Sequence, residues 1–110
     1  MPVTVQRKGS TVAVCLKGEI DHHTAAALRE AIDDAVFAAP GAQTLVLDFS
    51  DVTFMDSSGV GLVMGRYRLC QTRGLALRVI NLSPRDARIL AMSGVAAIAE
   101  LGERSRTKDA

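Results

Sequence analysis

The chain has 110 residues and a net charge of +1, and 48% of its residues are apolar. This length fits one domain with an aliphatic core, and the scattered basic residues argue against a nucleic-acid partner, because backbone phosphates attract concentrated positive charge. No apolar run approaches the roughly 20 residues that span a bilayer, and no segment resembles a secretion signal. We therefore expect a cytoplasmic protein that does not bind membranes.

Hydrophobic periodicity predicts an opening pair of strands followed by alternating helices and strands. The predicted strands are residues 3–6, 11–17, 44–49 and 75–81, and the predicted helices are 24–39, 57 or 58 to 73, and a third that opens at Ser83-Pro84 and ends at Ser93-Gly94. Residues 96–101 are expected to form a short final strand or helix. The order β-β-α-β-α-β-α-(short β) predicts a single α/β domain with helices packed on a mixed sheet of four to five strands. We place the domain at residues 1–102 and a polar C-terminal tail at 103–110, with the basic run from Arg104 to Lys108 in solvent.

Residue types at the element ends predict where several elements begin and stop. Thr24 and Ser83 are predicted N-caps, because their hydroxyls can accept the unpaired N–H groups of a first helical turn. Gly18 is expected to end the second strand, residues 50–56 to form a loop after the third, and Gly74 to follow the second helix in a left-handed conformation.

Apolar patterns predict the core. Residues 44–49 form a near-continuous apolar run, which favours a strand covered on both faces. The side chains expected to be buried include Cys15 and Cys70 as free thiols, Met55, Val60, Val63, Met64 and Tyr67 before and on the second helix, and Ile89, Leu90 and Met92 on the third.

The most informative segment is the polar run Asp56-Ser57-Ser58-Gly59 at a helix start. Asp and Ser commonly cap helices, so a cap alone would explain these residues. A cap needs only one oxygen, however, and Gly59 and Gly61 cost about 1 kcal/mol each in helix propensity. Another chain approaching the helix backbone closely would account for that cost.

At this point the sequence resembles a known family, the STAS-domain anti-sigma-factor antagonists, and most of all their sporulation branch. The resemblance covers the chain from about residue 3 to 101. The segments that carry it are Gly18-Glu19-Ile20-Asp21-His22-His23-Thr24-Ala25, Phe54-Met55-Asp56-Ser57-Ser58-Gly59-Val60-Gly61, Gly65-Arg66-Tyr67, Ser83-Pro84 and Met92-Ser93-Gly94.

The resemblance implies a STAS-like fold and a partner switch. In that family the first serine after the aspartate, here Ser57, is phosphorylated by a serine kinase that is also the anti-sigma factor. The unmodified antagonist binds the kinase and releases a sigma factor, whereas the phosphorylated antagonist dissociates until a metal-dependent phosphatase resets it. Members often end in a further helix, which is expected to be short or missing after residue 101.

The implied site lies at two places in the chain and needs no cofactor. Its partner-binding residues are Asp21, His22, His23, Thr24, Asp56, Ser57, Ser58, Gly59, Gly61 and Arg66, although Arg66 would equally suit a solvated cation. The free protein is expected to be a monomer.

Other functions fit the residues less well. Adjacent histidines such as His22 and His23 rarely face one metal ion, and no spaced ligands complete a metal site. No P-loop or dinucleotide motif is present, and Ser57 lacks the flanking pattern of a hydrolase nucleophile, so an enzyme is not expected. The alternative is a STAS module of another signalling or transporter-associated assembly, because one fold hosts several roles.

Overall fold

The computed structural model describes residues 3–95 and 99–104, which form one five-stranded sheet with three helices. The elements in chain order are β1 (Val3–Lys8), β2 (Thr11–Ile20), α1 (Ala25–Phe37), β3 (Thr44–Met55), α2 (Ser58–Arg73), β4 (Ala76–Leu82), α3 (Pro84–Met92) and β5 (Glu100–Glu103). The sheet order is β1-β2-β3-β4-β5, with β1 antiparallel to β2 and every other pair parallel. The predicted α/β class, mixed sheet and element order are confirmed.

The hydrophobic core lies on one face of the sheet. Val14, Leu47 and Val79 stand side by side on β2, β3 and β4 and pack with buried residues of the helices. The opposite face carries Ala13, Val46 and the exposed Arg78, and Val46 is not part of the core cluster. The prediction that β3 is covered on both faces is therefore wrong. Its apolar run continues onto the open face only at Val46, which is 5% exposed.

Strands β2 and β3 run further than their sequences predicted. Gly18 does not end β2 but lies at a register shift with a φ of +84°, a conformation that favours glycine. Beyond it, Glu19 and Ile20 still pair with β3, whose residues 50–55 are strand rather than loop. The irregular register explains the error, because bulges break the strict alternation by which strands are predicted.

The helix ends are confirmed in part. Gly74 follows α2 with a φ of +73°, and the Ser83 hydroxyl accepts a hydrogen bond from the Asp86 N–H at 3.1 Å. Thr24, by contrast, makes no side-chain capping bond to α1, and α1 ends at Phe37, two residues before the predicted end. Over the described residues, no helix is long and apolar enough to cross a bilayer.

The buried face of α2 differs from the predicted one. Its buried residues are Gly59, Leu62, Val63, Arg66 and Cys70, whereas Val60, Met64 and Tyr67 are half-buried at the margin of the core. Glycines interrupt the apolar pattern of this helix, so its sequence does not define one clear stripe.

Two sulfur-containing side chains are more exposed than predicted. Met92 is 82% exposed, because it follows the buried Leu90 by two residues and points to roughly the opposite side of α3. Cys70 is buried as expected, but Cys15 is only half-buried, since it lies on the open face of the sheet. Both thiols are free.

The fold extends past the predicted domain boundary at residue 102. β5 continues to Glu103, and the Arg104 side chain donates hydrogen bonds to the backbone carbonyls of Asn81 at 2.9 Å and Phe49 at 2.8 Å. Arg104 therefore belongs to the folded part rather than to a solvated tail. Residues 105–110, and with them the expectation about a further helix, lie outside the described residues, as do residues 96–98 of the predicted element at 96–101, whose last two residues begin β5.

Candidate functional site

The two segments predicted to form the site lie side by side at one end of the sheet. Ile20, the last residue of β2, pairs with Met55, the last residue of β3. The Asp56 N–H donates to the Ile20 carbonyl at 3.0 Å, one residue beyond the strands. Because β2 and β3 are parallel, the turn after β2 and the start of α2 after β3 emerge together.

Asp56 caps α2, and Ser57 does not. The Asp56 carboxylate accepts a hydrogen bond from the Ser58 N–H at 2.7 Å. Ser57 adopts a helical conformation, is exposed and makes no side-chain capping bond. Its hydroxyl is therefore available to a partner while standing at the positive end of a 16-residue helix.

Gly59 and Gly61 have different surroundings. A methyl group placed on Gly59 would overlap the Met55 side chain, which is fully buried. Internal packing therefore accounts for glycine at this position. A methyl group on Gly61 or Gly65 would meet open space, so nothing in the described fold requires glycine at either place.

The turn after β2 is held by its own side chains. The Asp21 carboxylate accepts from the N–H groups of His23 at 2.8 Å and Thr24 at 3.0 Å, while the Thr24 hydroxyl donates to the Glu19 carbonyl at 2.8 Å. Partial desolvation would raise the pKa of Asp21, but these N–H donors outweigh it and hold that pKa below its usual value. Asp21, rather than Thr24, thus organises the start of α1.

His22 and His23 are both exposed, with ring centroids 4.0 Å apart. Within residues 3–95 and 99–104, no three His, Cys, Asp or Glu side chains group in a way that could hold a metal ion. The two rings are therefore surface groups beside the start of α2.

Arg66 is buried between α1 and α2, and its side chain is only 8% exposed. Its Nε lies 2.9 Å from Asp33 Oδ1, an ion pair by distance, but the contact is out of line for a hydrogen bond. Burial lowers the pKa of Arg66, Asp33 opposes that shift, and the nearby charge of Arg29 reinforces it. Burial also raises the pKa of the Cys70 thiol to about 11 against the opposing Arg66 charge. Arg66 is thus not a solvated cation.

A groove opens between α1 and α2 beside these residues, with a volume of about 490 Å³. It brings together the predicted site residues His22, Ser58, Gly61 and Arg66. Arg29 also lines it and is not among the site residues predicted from the sequence. No local signal could have revealed it, because the groove exists only once α1 packs on α2.

Phe54 and Arg85 border the start of α2 on the side of α3 and were also missed. Phe54 is 44% exposed although it is large and apolar, and the Arg85 guanidinium lies 5.2 Å from its ring centroid. The same guanidinium donates to the Met55 carbonyl at 2.9 Å. Arg85 therefore braces the chain just before Asp56, and an exposed aromatic ring stands beside it.

Comparison with known proteins finds relatives over nearly the whole chain. The STAS domain family matches residues 2–107. The chain is 34% identical to the anti-sigma F factor antagonist of Paenibacillus polymyxa over 86% of this chain and 80% of that relative. It is 32% identical to the anti-sigma-B factor antagonist of Bacillus subtilis over 94% and 92% of the two chains.

Solved structures match as well. The anti-sigma factor antagonist SpoIIAA in its unphosphorylated form superposes with a TM-score of 0.75 at 30% identity, covering 97% of this chain and 91% of that one. SpoIIAA of Bacillus in the phosphorylated form gives a TM-score of 0.69 at 31% identity, over 97% and 95% of the chains.

Proposed function

The chain belongs to the STAS domain family and, within it, to the anti-sigma factor antagonists, and from that premise we propose that it exchanges partners through phosphorylation of Ser57. Its membership confirms the resemblance inferred from the sequence. The unmodified protein binds an anti-sigma factor that is also a serine kinase, and a sigma factor is released to activate transcription. Phosphorylated Ser57 ends that binding, and a serine phosphatase restores it.

One observation carries the choice of Ser57. Its hydroxyl is exposed at the start of α2 and is not used as a cap, whereas the neighbouring Ser58 is half-buried and its N–H is held by Asp56. A kinase must reach the hydroxyl without unfolding the helix start. Ser57 meets that requirement better than Ser58.

The physical effect of the phosphate is local. It adds about −1.5 to −2 charges next to Asp56, so like-charge repulsion rises inside a closed interface. Burying that charge without a cationic partner costs several kcal/mol, and a loss of about 3–5 kcal/mol weakens Kd by roughly two to four orders of magnitude. In the dissociated protein the phosphate is tolerated, because a helix N-terminus favours negative charge.

The surface that meets the kinase comprises the turn after β2 and the start of α2. Both emerge at the same end of the sheet, so one partner can cover them together. We assign to it Asp21, His22, His23, Thr24, Asp56, Ser57, Ser58 and Gly61, with Arg66 at the base of the adjoining groove and Gly59 as the residue that seats the helix start.

The remaining features follow from this role. The relatives named above are regulatory proteins, and we propose that this chain likewise has no catalytic activity of its own. It acts in the cytoplasm, where sigma factors meet RNA polymerase, and as a monomer when no partner is bound.

The assignment of Ser57 is tested by incubating the protein with its kinase and ATP and mapping the phosphate by mass spectrometry. Ser57→Ala should abolish phosphorylation, and Ser58→Ala, the matched control one residue away, should leave phosphate on Ser57. Phosphate on Ser57→Ala would contradict the assignment.

In a binding assay, Ser57→Asp should weaken kinase binding at least about tenfold with an unchanged circular dichroism spectrum, because the added negative charge opposes binding.

A further inference from the structure

Small residues line the groove between α1 and α2. Ala25 and Ala26 stand on one side, and Gly61 and Gly65 stand on the other. Since a methyl group on either glycine would meet only open space, the groove is not a by-product of tight helix packing. Its volume of about 490 Å³ leaves room for a side chain from another molecule.

The groove is also positively charged. Arg66 and Arg29 both line it, and Arg29 forms no ion pair with any residue in the described ranges. Arg66 is paired by charge with Asp33, yet its Nε is buried without a well-directed hydrogen bond. Of the two guanidinium groups that line the groove, only that of Arg66 has an acidic partner, so the excess charge is positive.

We propose that this groove binds the carboxylate of an aspartate or glutamate side chain from the protein partner. Planar guanidinium groups match a carboxylate, which can accept two N–H bonds at once. The Ser58 hydroxyl and the His22 ring stand at the same rim and can donate further hydrogen bonds. The proposal rests on the proposed function, because the partner is the anti-sigma factor kinase, and it names the chemistry by which that partner is recognised beside Ser57.

An acidic side chain fits this groove better than an apolar or basic one. An apolar side chain would displace water from the Arg29 and Arg66 guanidinium groups without supplying an acceptor, which is costly in a desolvated interface. A basic side chain would add a third like charge beside Arg29 and Arg66. A carboxylate instead balances the excess charge and can accept hydrogen bonds from guanidinium N–H groups.

The first test compares charge reversals by isothermal titration calorimetry with the purified kinase. Arg29→Glu should raise Kd about 30-fold or more, because it places a like charge against the incoming carboxylate. Arg88→Glu is the matched control, since Arg88 is an exposed residue of α3 away from the groove and the change in net charge is the same. It should change Kd less than about twofold.

The second test fills the groove. Gly65→Leu places a side chain in the open space and replaces a poor helix former by a good one, so its midpoint of thermal unfolding should not fall. Kinase binding should nevertheless weaken about tenfold or more, because the carboxylate can no longer enter. Gly65→Ala, which fills less of the groove, should weaken kinase binding less than Gly65→Leu does.

A third test identifies the partner residue. Acidic residues on the kinase are changed one at a time to arginine, and one of these changes should restore binding of Arg29→Glu to within about threefold of the original Kd. If the unchanged protein binds the kinase but Arg29→Glu and Gly65→Leu bind equally well, the carboxylate site is refuted while the proposed function stands. If the unchanged protein does not bind the kinase, both proposals fail.

Discussion

Gly59 and Gly61 lie in the same turn of α2 but have different surroundings. Gly59 is buried against Met55, the last residue of β3, and a side chain there would displace a fully buried methionine. Gly61 faces the groove and open space. From the sequence the two glycines looked alike, since helix propensity does not depend on which side chains from other elements contact a residue.

The difference predicts opposite effects on stability. Gly59→Ala should lower the free energy of unfolding by about 1–3 kcal/mol, the usual cost of overpacking a core. Gly61→Ala should raise it by up to about 1 kcal/mol, because alanine favours the helix. Urea denaturation of both variants measures the two changes, and a loss of stability in Gly61→Ala comparable to that in Gly59→Ala would contradict the packing argument.

At the scale of elements, each helix start has its own capping arrangement. Ser83 caps α3 with its own hydroxyl, and Pro84 follows it in the first helical position. The starts of α1 and α2 depend instead on the carboxylates of Asp21 and Asp56, which accept backbone N–H groups two or three residues ahead. Ser83 is thus a cap and Ser57 an available hydroxyl, whereas the Thr24 hydroxyl is held by the Glu19 carbonyl.

Identical substitutions at two helix starts separate these roles. Ser83→Ala should lower the free energy of unfolding by about 1 kcal/mol, because it removes an acceptor from the first turn of α3. Ser57→Ala should change it by less than about 0.5 kcal/mol, since Ser57 makes no capping bond. The control is chemically the same change, so chemical denaturation curves compare directly. An equal loss in both would mean that Ser57 is a structural cap.

On the scale of the whole molecule, Arg104 joins parts of the sheet that are distant in sequence. Its backbone N–H donates to the Leu82 carbonyl at 2.9 Å, beside the end of β4. Its guanidinium reaches Asn81 at 2.9 Å and the Phe49 and Val52 carbonyls of β3 at 2.8 and 3.2 Å. Arg104 thereby holds the short β5 against the irregular half of β3.

Removing this link should weaken the edge of the sheet. Arg104→Ala should lower the free energy of unfolding by about 1–2 kcal/mol, a discounted value because the side chain is partly solvated. Amide hydrogen exchange should speed up in β5 and in the second half of β3, while β1 keeps its protection. Arg104→Lys should recover only part of the loss, because an ammonium group cannot span three carbonyls. Full stability in Arg104→Ala would show that the link is dispensable.

Features set by neighbouring residues were predictable from the sequence. The order of strands and helices follows from hydrophobic periodicity, and the Ser83 cap and the Gly74 stop follow from residue chemistry at helix ends. The placement of Asp56 and Ser57 at the start of α2 was foreseen for the same reason. The family resemblance then selected Ser57 as the phosphorylation site, and the exposed hydroxyl accords with that choice.

Features that depend on residues far apart in the chain emerged only in three dimensions. The continuation of β2 beyond Gly18, and of β3 alongside it, depends on pairing across a register shift. The burial of Arg66 depends on Asp33 of another helix. The charged groove exists because α1 and α2 pack together with glycines between them. Local preferences act over a few residues, whereas burial and charge pairing are decided by whatever the fold brings alongside.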